Sequence, residues 1–128
     1  LLQQPHPGEF ATLTGSPPPP DRFAAVRSLA ADVGAVVLLK GPTTLVADPT
    51  GTVLAVTSGD ARLATAGTGD VLAGVVAAFL AAGLSAPRAA AAAAHLHGRA
   101  GALAWPRGLV ASDLVALLPV VLSELQEA

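Results

Sequence analysis

Phe23, Val26, Leu29, Ala30 and Val33 recur at the three- and four-residue spacing of an amphipathic helix. Asp21 stands before it as an N-cap and Gly34 after it as a stop. The period then changes. Ala35-Val36-Val37-Leu38-Leu39 is uninterrupted aliphatic sequence, the pattern of a strand buried on both faces in a parallel sheet. Residues 44–47 and 52–56 flank Asp48-Pro49-Thr50-Gly51, whose Asp, Pro and Gly occupy the first, second and fourth positions of a turn, so a β-hairpin is expected. Residues 57–66 read as a polar loop. An apolar helix follows from Asp70 towards Gly83. Ser85 begins another that runs to residue 104, with Pro87 in its first turn and an alanine run over 89–94. Ser112-Asp113 is expected to cap a last helix from 114 to about 127, kinked or broken at Pro119. At the other end, residues 1–4 read as the end of a strand and 8–13 as a short helix with Glu9 at its start. Strand, hairpin and helices together define an α/β chain.

Composition narrows this further. The 128 residues make at most one domain, short for an α/β enzyme that uses a nucleotide, so a truncated domain is an expectation to test. Hydrophobic residues are 52% of the chain, mostly Ala, Val and Leu with one Trp and three Phe, which predicts close packing of small side chains. A net charge of −2 leaves no basic footprint for nucleic acid. Without cysteine there is no disulfide framework, thiolate metal site or thiol nucleophile, and the chain is compatible with the cytosol. The uncharged run 71–87 is shorter than the roughly 20 residues of a membrane span. The first residues lack the basic and apolar regions of a signal peptide. Pro17 to Pro20 form a stiff connector rather than a domain boundary.

The chemistry concentrates where Thr65-Ala66-Gly67-Thr68-Gly69-Asp70 enters the apolar helix. Glycines at a helix N-terminus let backbone N–H groups and the positive end of the dipole meet an anion. The turn is not a P-loop, because no Lys follows the glycines. It is not a dinucleotide fingerprint, because Leu72 stands where the third glycine belongs, nor a hydrolase elbow, because it has no serine nucleophile. A carboxylate at such a turn is either an ordinary helix cap or a general base, and Asp70 has both readings open. Lys40 follows the buried strand at the end where open α/β sheets bind ligands, or is a solvated lysine. His6, held between Pro5 and Pro7, is a rigid loop residue with or without a ligand to contact. His95 and His97 lie two apart on a helix and point to different faces, which disfavours a shared metal.

The order of these pieces is more specific than any one of them. Pro5-His6-Pro7-Gly8-Glu9-Phe10, Val37-Leu38-Leu39-Lys40-Gly41-Pro42-Thr43-Thr44, Asp48-Pro49-Thr50-Gly51 and Leu63-Ala64-Thr65-Ala66-Gly67-Thr68-Gly69-Asp70-Val71-Leu72-Ala73-Gly74 together resemble the ADP/ATP-dependent NAD(P)H-hydrate dehydratases. The similarity continues through Ala94-His95-Leu96-His97-Gly98-Arg99-Ala100-Gly101 and Gly108-Leu109-Val110-Ala111-Ser112-Asp113-Leu114. The resemblance implies a ribokinase-like three-layer α/β/α fold. Residues 1–128 would be the C-terminal part of one such domain, with a mostly parallel sheet, a hairpin and several helices. It further implies ADP-dependent repair of the S-form of NADH or NADPH hydrate, with ADP or ATP as co-substrate and Mg²⁺ on the phosphates. His6 would contact the hydrate. Lys40, Gly41, Thr43, Thr44, Gly67, Thr68 and Gly69 would line the nucleotide, and Asp70 would be the catalytic base. A cytoplasmic enzyme follows, a homo-oligomer when complete, with a tetramer as one candidate. Gln4 and Gly59-Asp60-Ala61 depart from the family's usual Thr and Gly-Asn-Pro. Two alternatives stay open: a ribokinase-like small-molecule kinase, and a non-catalytic nucleotide-binding remnant.

Overall fold

A computed structural model of the chain describes residues 2–3, 7–59 and 61–128. Four strands lie in sheet order β1 (Leu2–Gln3), β2 (Val37–Leu39), β3 (Thr44–Ala47) and β4 (Val53–Val56). Five helices accompany them: α1 (Pro7–Thr14), α2 (Arg22–Val33), α3 (Thr68–Ala81), α4 (Ala86–Leu103) and α5 (Ala111–Glu127), with a 3-10 turn at Ala61–Ala64.

The expected mostly parallel sheet is corrected. β1 pairs with β2 in parallel, but β2–β3 and β3–β4 are antiparallel. The reason is the length of the connection. Residues 40–43 join β2 to β3, far too few for the crossover of about a dozen residues that parallel neighbours need, so the chain turns straight back. The continuous apolar run reported burial on both faces correctly and strand direction not at all.

Alternation along the strands divides the core in two. Val37, Leu45 and Ala47 face α1 and α2, packing with Phe10, Ala25, Val26, Leu29 and Ala30. Leu38 and Val46, on the other face, join Leu72, Val76, Ala90, Ala93, Leu96 and Leu114 from α3, α4 and α5. The result is a three-layer α/β/α arrangement. α4 lies on β3 and β4, and α3 and α5 pack on α4. Its alanines at 89, 90, 93 and 100 are fully buried, and small side chains let a helix approach its neighbours closely.

Local chemistry accounts for the boundaries. Asp21 Oδ1 accepts from the amides of Phe23 and Ala24, capping α2. Asp48 Oδ1 accepts from Thr50 Oγ1 at 2.6 Å and from the amides of Thr50 and Thr52, and Gly51, at φ 99°, closes the hairpin turn. The Thr50 hydroxyl bond first, with those amides, holds the Asp48 carboxyl below its ordinary 3.8. Three helix readings are adjusted. α5 begins at Ala111, and Asp113 works from inside its first turn, accepting from Val110 N at 3.0 Å. α5 runs unbroken through Pro119, which is exposed. Ser85 precedes α4 without a side-chain capping bond.

Candidate functional site

The cavity of about 570 Å³ at the carboxyl end of β2 is lined by Lys40, Gly41, Pro42 and Thr44 from the β2–β3 turn. Gly59, Leu63 and Thr65 come from the following loop, Thr68, Gly69 and Leu72 from the start of α3, and Ala94 and His97 from α4. Residues far apart in sequence thus converge where open α/β sheets place their ligands.

Gly67 opens α3 with φ 84°, and a side chain there would also press on Ala111, 3.1 Å from the ideal Cβ position. Its carbonyl accepts from Asp70 N at 3.1 Å and Val71 N at 3.3 Å, so the helix starts in a tight turn. Thr68 is 1% exposed, and its hydroxyl is turned inward, 2.7 Å from Leu63 O and 2.8 Å from Thr65 O. That hydroxyl ties the turn to the preceding loop. Asp70 is exposed on the first turn, one residue beyond the cavity-lining Gly69.

Lys40 is half-buried, and desolvation pushes its ammonium below the ordinary 10.5. The end of β2 that carries it is held by Arg22, whose guanidinium Nη2 donates to Lys40 O at 3.0 Å and Leu39 O at 3.3 Å. Gly41 makes room for that guanidinium, which lies 2.5 Å from where a Cβ would stand.

Of the residues singled out in the sequence, Lys40, Gly41, Thr44, Thr68 and Gly69 line one cavity. Thr43 is half-buried beside Thr44, and Gly67 and Asp70 are exposed next to the lining residues. His6 lies outside the described residues. Sequence reasoning assigned no role to Arg22, Leu63 or His97. His95 and His97 do point apart: His95 is exposed, while His97 is 2% exposed with Nε2 2.8 Å from Thr68 O. The signal for its place was the helical grouping of His97, Gly98 and Gly101, a close-approach face rather than a ligand pair.

For a nucleotide the donor set fits: a cation, a glycine turn at a helix N-terminus and an apolar wall from Leu63, Leu72 and Ala94. For Mg²⁺, no group of three or more His, Cys, Asp or Glu among the described residues could hold the ion. The fit is to a cation carried by phosphates and water, with Asp70 exposed next in sequence to the lining Gly69. Among the described residues no helix is long and apolar enough to cross a membrane.

This three-layer sandwich, with its cavity at a strand end and a glycine turn leading into a helix, shares the ribokinase-like fold of solved NAD(P)H-hydrate dehydratases. The NAD(P)H-hydrate dehydratase family model matches residues 3–120, and the chain belongs to that family. It is 56% identical over 99 residues to the bifunctional NAD(P)H-hydrate repair enzyme Nnr of Mycobacterium leprae, covering 77% of this chain and 21% of that protein. It is 44% identical over 119 residues to the ADP-dependent (S)-NAD(P)H-hydrate dehydratase of Neisseria meningitidis, covering 91% of this chain and 40% of that protein. The structure of the ADP/ATP-dependent NAD(P)H-hydrate dehydratase of Bacillus subtilis, co-crystallised with ATP and Mg²⁺, superposes with a TM-score of 0.86 at 32% identity, covering 94% of this chain and 46% of that one. The chain therefore spans less than half the length of these relatives.

Proposed function

We propose that residues 1–128 form the C-terminal part of a single ribokinase-like domain that dehydrates the S-form of NADH or NADPH hydrate at the expense of ADP. The reading rests on one observation above the others: Lys40, Thr44, Thr68 and Gly69 line a single cavity beside Asp70 in a chain of this family. The family matches favour it over a small-molecule kinase.

In this reading the half-buried Lys40 attracts the nucleotide's phosphates, and a partly desolvated ammonium does so more strongly than one in water. Gly41, Thr43 and Thr44 shape the cavity beside it. Asp70 accepts the proton of the hydrate's hydroxyl as that oxygen bonds to the terminal phosphorus of ADP and the bond to AMP breaks. The Gly67 to Gly69 turn stabilises the charge developing on the phosphoryl oxygens. The lone pair of the ring nitrogen then expels phosphate, and loss of a ring proton restores the reduced nicotinamide. The sum is hydrate and ADP to NAD(P)H, AMP and phosphate. Mg²⁺ bound with the nucleotide would neutralise phosphate charge. His6 is assigned to the hydrate, and the enzyme to the cytoplasm as a homo-oligomer.

The test is recovery of NADH absorbance from its hydrate by the complete protein, with ADP and ATP compared. Asp70→Asn is expected to lower kcat by about 10³-fold while ADP still binds, the scale of a lost general base. Undiminished turnover in that variant would remove Asp70 from the mechanism.

A further inference from the structure

α2 begins on Arg22, and a cation at the first position of a helix stands against the positive end of the dipole. The first turn carries no acidic residue to offset it, and the Asp21 carboxylate is engaged by the amides of Phe23 and Ala24. The helix would be better served by another residue there. What the guanidinium does is leave the helix and reach the end of β2, where Nη2 donates to Leu39 O at 3.3 Å and to Lys40 O at 3.0 Å.

Consecutive carbonyls of an extended strand point to opposite sides, so one nitrogen reaches both only where the backbone bends. Leu39 makes the last ladder pair with β3, opposite Leu45, and the bend follows at Gly41. Arg22 therefore grips the chain at the point where strand becomes turn. Gly41 completes the fit. A Cβ there would lie 2.5 Å from Arg22 Nη2, 2.8 Å from Cζ and 3.0 Å from Nη1, so the bare glycine is the surface against which the guanidinium rests.

The grip is made from one face of the sheet and felt on the other. Leu39 packs with the α2 cluster and Leu38 with that of α3, α4 and α5, so alternation sends Lys40 to the second face. There it lines the cavity with Thr68, Leu72 and His97. Desolvation alone perturbs its ammonium, which has no hydrogen-bond or ion-pair partner among the described residues. Nothing at the tip of this long side chain holds it in the cavity, so its aim comes from the backbone end. A turn of the strand end by one pleat would point it at α2 instead.

We propose that Arg22 is a positioning residue for the cavity: by holding the carbonyls of Leu39 and Lys40 from the α2 side, it fixes the bend that ends β2 and aims the Lys40 ammonium at the ligand. That the ligand is a nucleotide rests on the function proposed above, whereas the grip on the strand end does not.

In the complete protein Arg22→Met keeps the aliphatic stem and removes the donors. It is expected to weaken ADP binding about 5- to 20-fold by titration calorimetry, and the same change in a Lys40→Ala background to cost less than about 2-fold. Arg27 is the control, because it lies on the same helix and its Nε donates to Gly51 O at 3.1 Å, at the hairpin turn rather than at the cavity. Arg27→Met should leave ADP affinity and turnover unchanged. Unchanged affinity in folded Arg22→Met, equal losses with and without Lys40, or an equal loss in Arg27→Met overturns the proposal. If Arg22→Met does not fold, Gly41→Ala decides, since its methyl displaces the guanidinium without removing it. A loss of ADP affinity that depends on Lys40 supports the positioning role, and no loss, or equal losses in the two backgrounds, overturns it. A wild-type protein that does not bind ADP overturns the nucleotide reading alone. The crystal structure of whichever variant folds then decides: Lys40 displaced from the cavity supports the positioning role, and Lys40 in its wild-type place overturns it.

Discussion

At the scale of single residues, burial shifts the proton affinity of two groups that line the cavity, Lys40 and His97. His97 shows how this reaches stability. In the unfolded chain an imidazole takes up a proton near 6.5, whereas in the folded chain desolvation first, with the Lys40 charge in support, holds it below that value. Between those two values the unfolded state binds the extra proton, so the folded state loses stability as pH falls below about 6.5, and above that pH the group contributes no slope. One proton bound only by the unfolded chain gives at most about 1.4 kcal/mol per pH unit. Urea unfolding at pH 7.5 and 5.5 is expected to show a steeper loss in the wild type than in His97→Gln, which has no titrating ring. Equal losses would place the acid sensitivity in other groups.

At the scale of elements, α4 is the part on which the loops around the site are mounted. Ser58 Oγ donates to His95 O at 3.2 Å, and Arg62 Nη1 donates to Ala104 O at 3.1 Å, so Ser58 and Arg62 are fastened to α4 and to its C-cap. The glycines beneath it have different tolerances. At Gly98 an added methyl meets the backbone of Ser58, with its carbonyl oxygen 2.7 Å away, and neither helix nor loop can give locally. At Gly101 it meets the end of Leu63, a side chain that can rotate. Gly98→Ala is therefore expected to destabilise by about 2 kcal/mol, an overpacking cost exceeding the roughly 1 kcal/mol gain in helix propensity. Gly101→Ala should fall within about 1 kcal/mol of the wild type, since the two effects nearly cancel. Denaturant midpoints would decide, and equal losses would mean that the Ser58 loop yields as easily as Leu63. The same element shows what the chain discloses before folding. Helix periodicity, the Asp21 cap and the Asp-Pro-Thr-Gly hairpin are local, so they were legible, as was the glycine turn before Asp70. Strand direction between β2 and β3 depended on connection length, which an apolar run does not encode. The roles of Arg22 and His97 arise from contacts across 18 and 29 residues of sequence, which no local pattern carries. The start of α5 was displaced because Asp113 caps from inside the helix rather than before it.

At the scale of the whole molecule, the cavity lies where the layers meet. Lys40 comes from the end of β2, held by Arg22 of α2 on one face of the sheet, and the glycine turn and His97 come from α3 and α4 on the other. A nucleotide bound there contacts parts that unfolding would separate, so its binding energy is linked to the stability of the whole. At a ligand concentration about 100 times Kd the linkage is about 2.7 kcal/mol, which for a protein two to three times this length raises Tm by roughly 3–5 °C. ADP is expected to give such a shift in the complete protein, and AMP, which lacks the terminal phosphate assigned to the glycine turn, a smaller one. Lys40→Ala should keep the fold, since its side chain is only half-buried, and lose most of the ADP shift. Asp70→Asn should retain the shift or enlarge it, because a carboxylate beside a phosphate repels it and the amide does not. Scanning calorimetry on the three proteins with each nucleotide separates binding from chemistry. Equal ADP shifts for wild type and Lys40→Ala would move the phosphates away from the end of β2, and with them the nucleotide assignment of Gly41, Thr43 and Thr44.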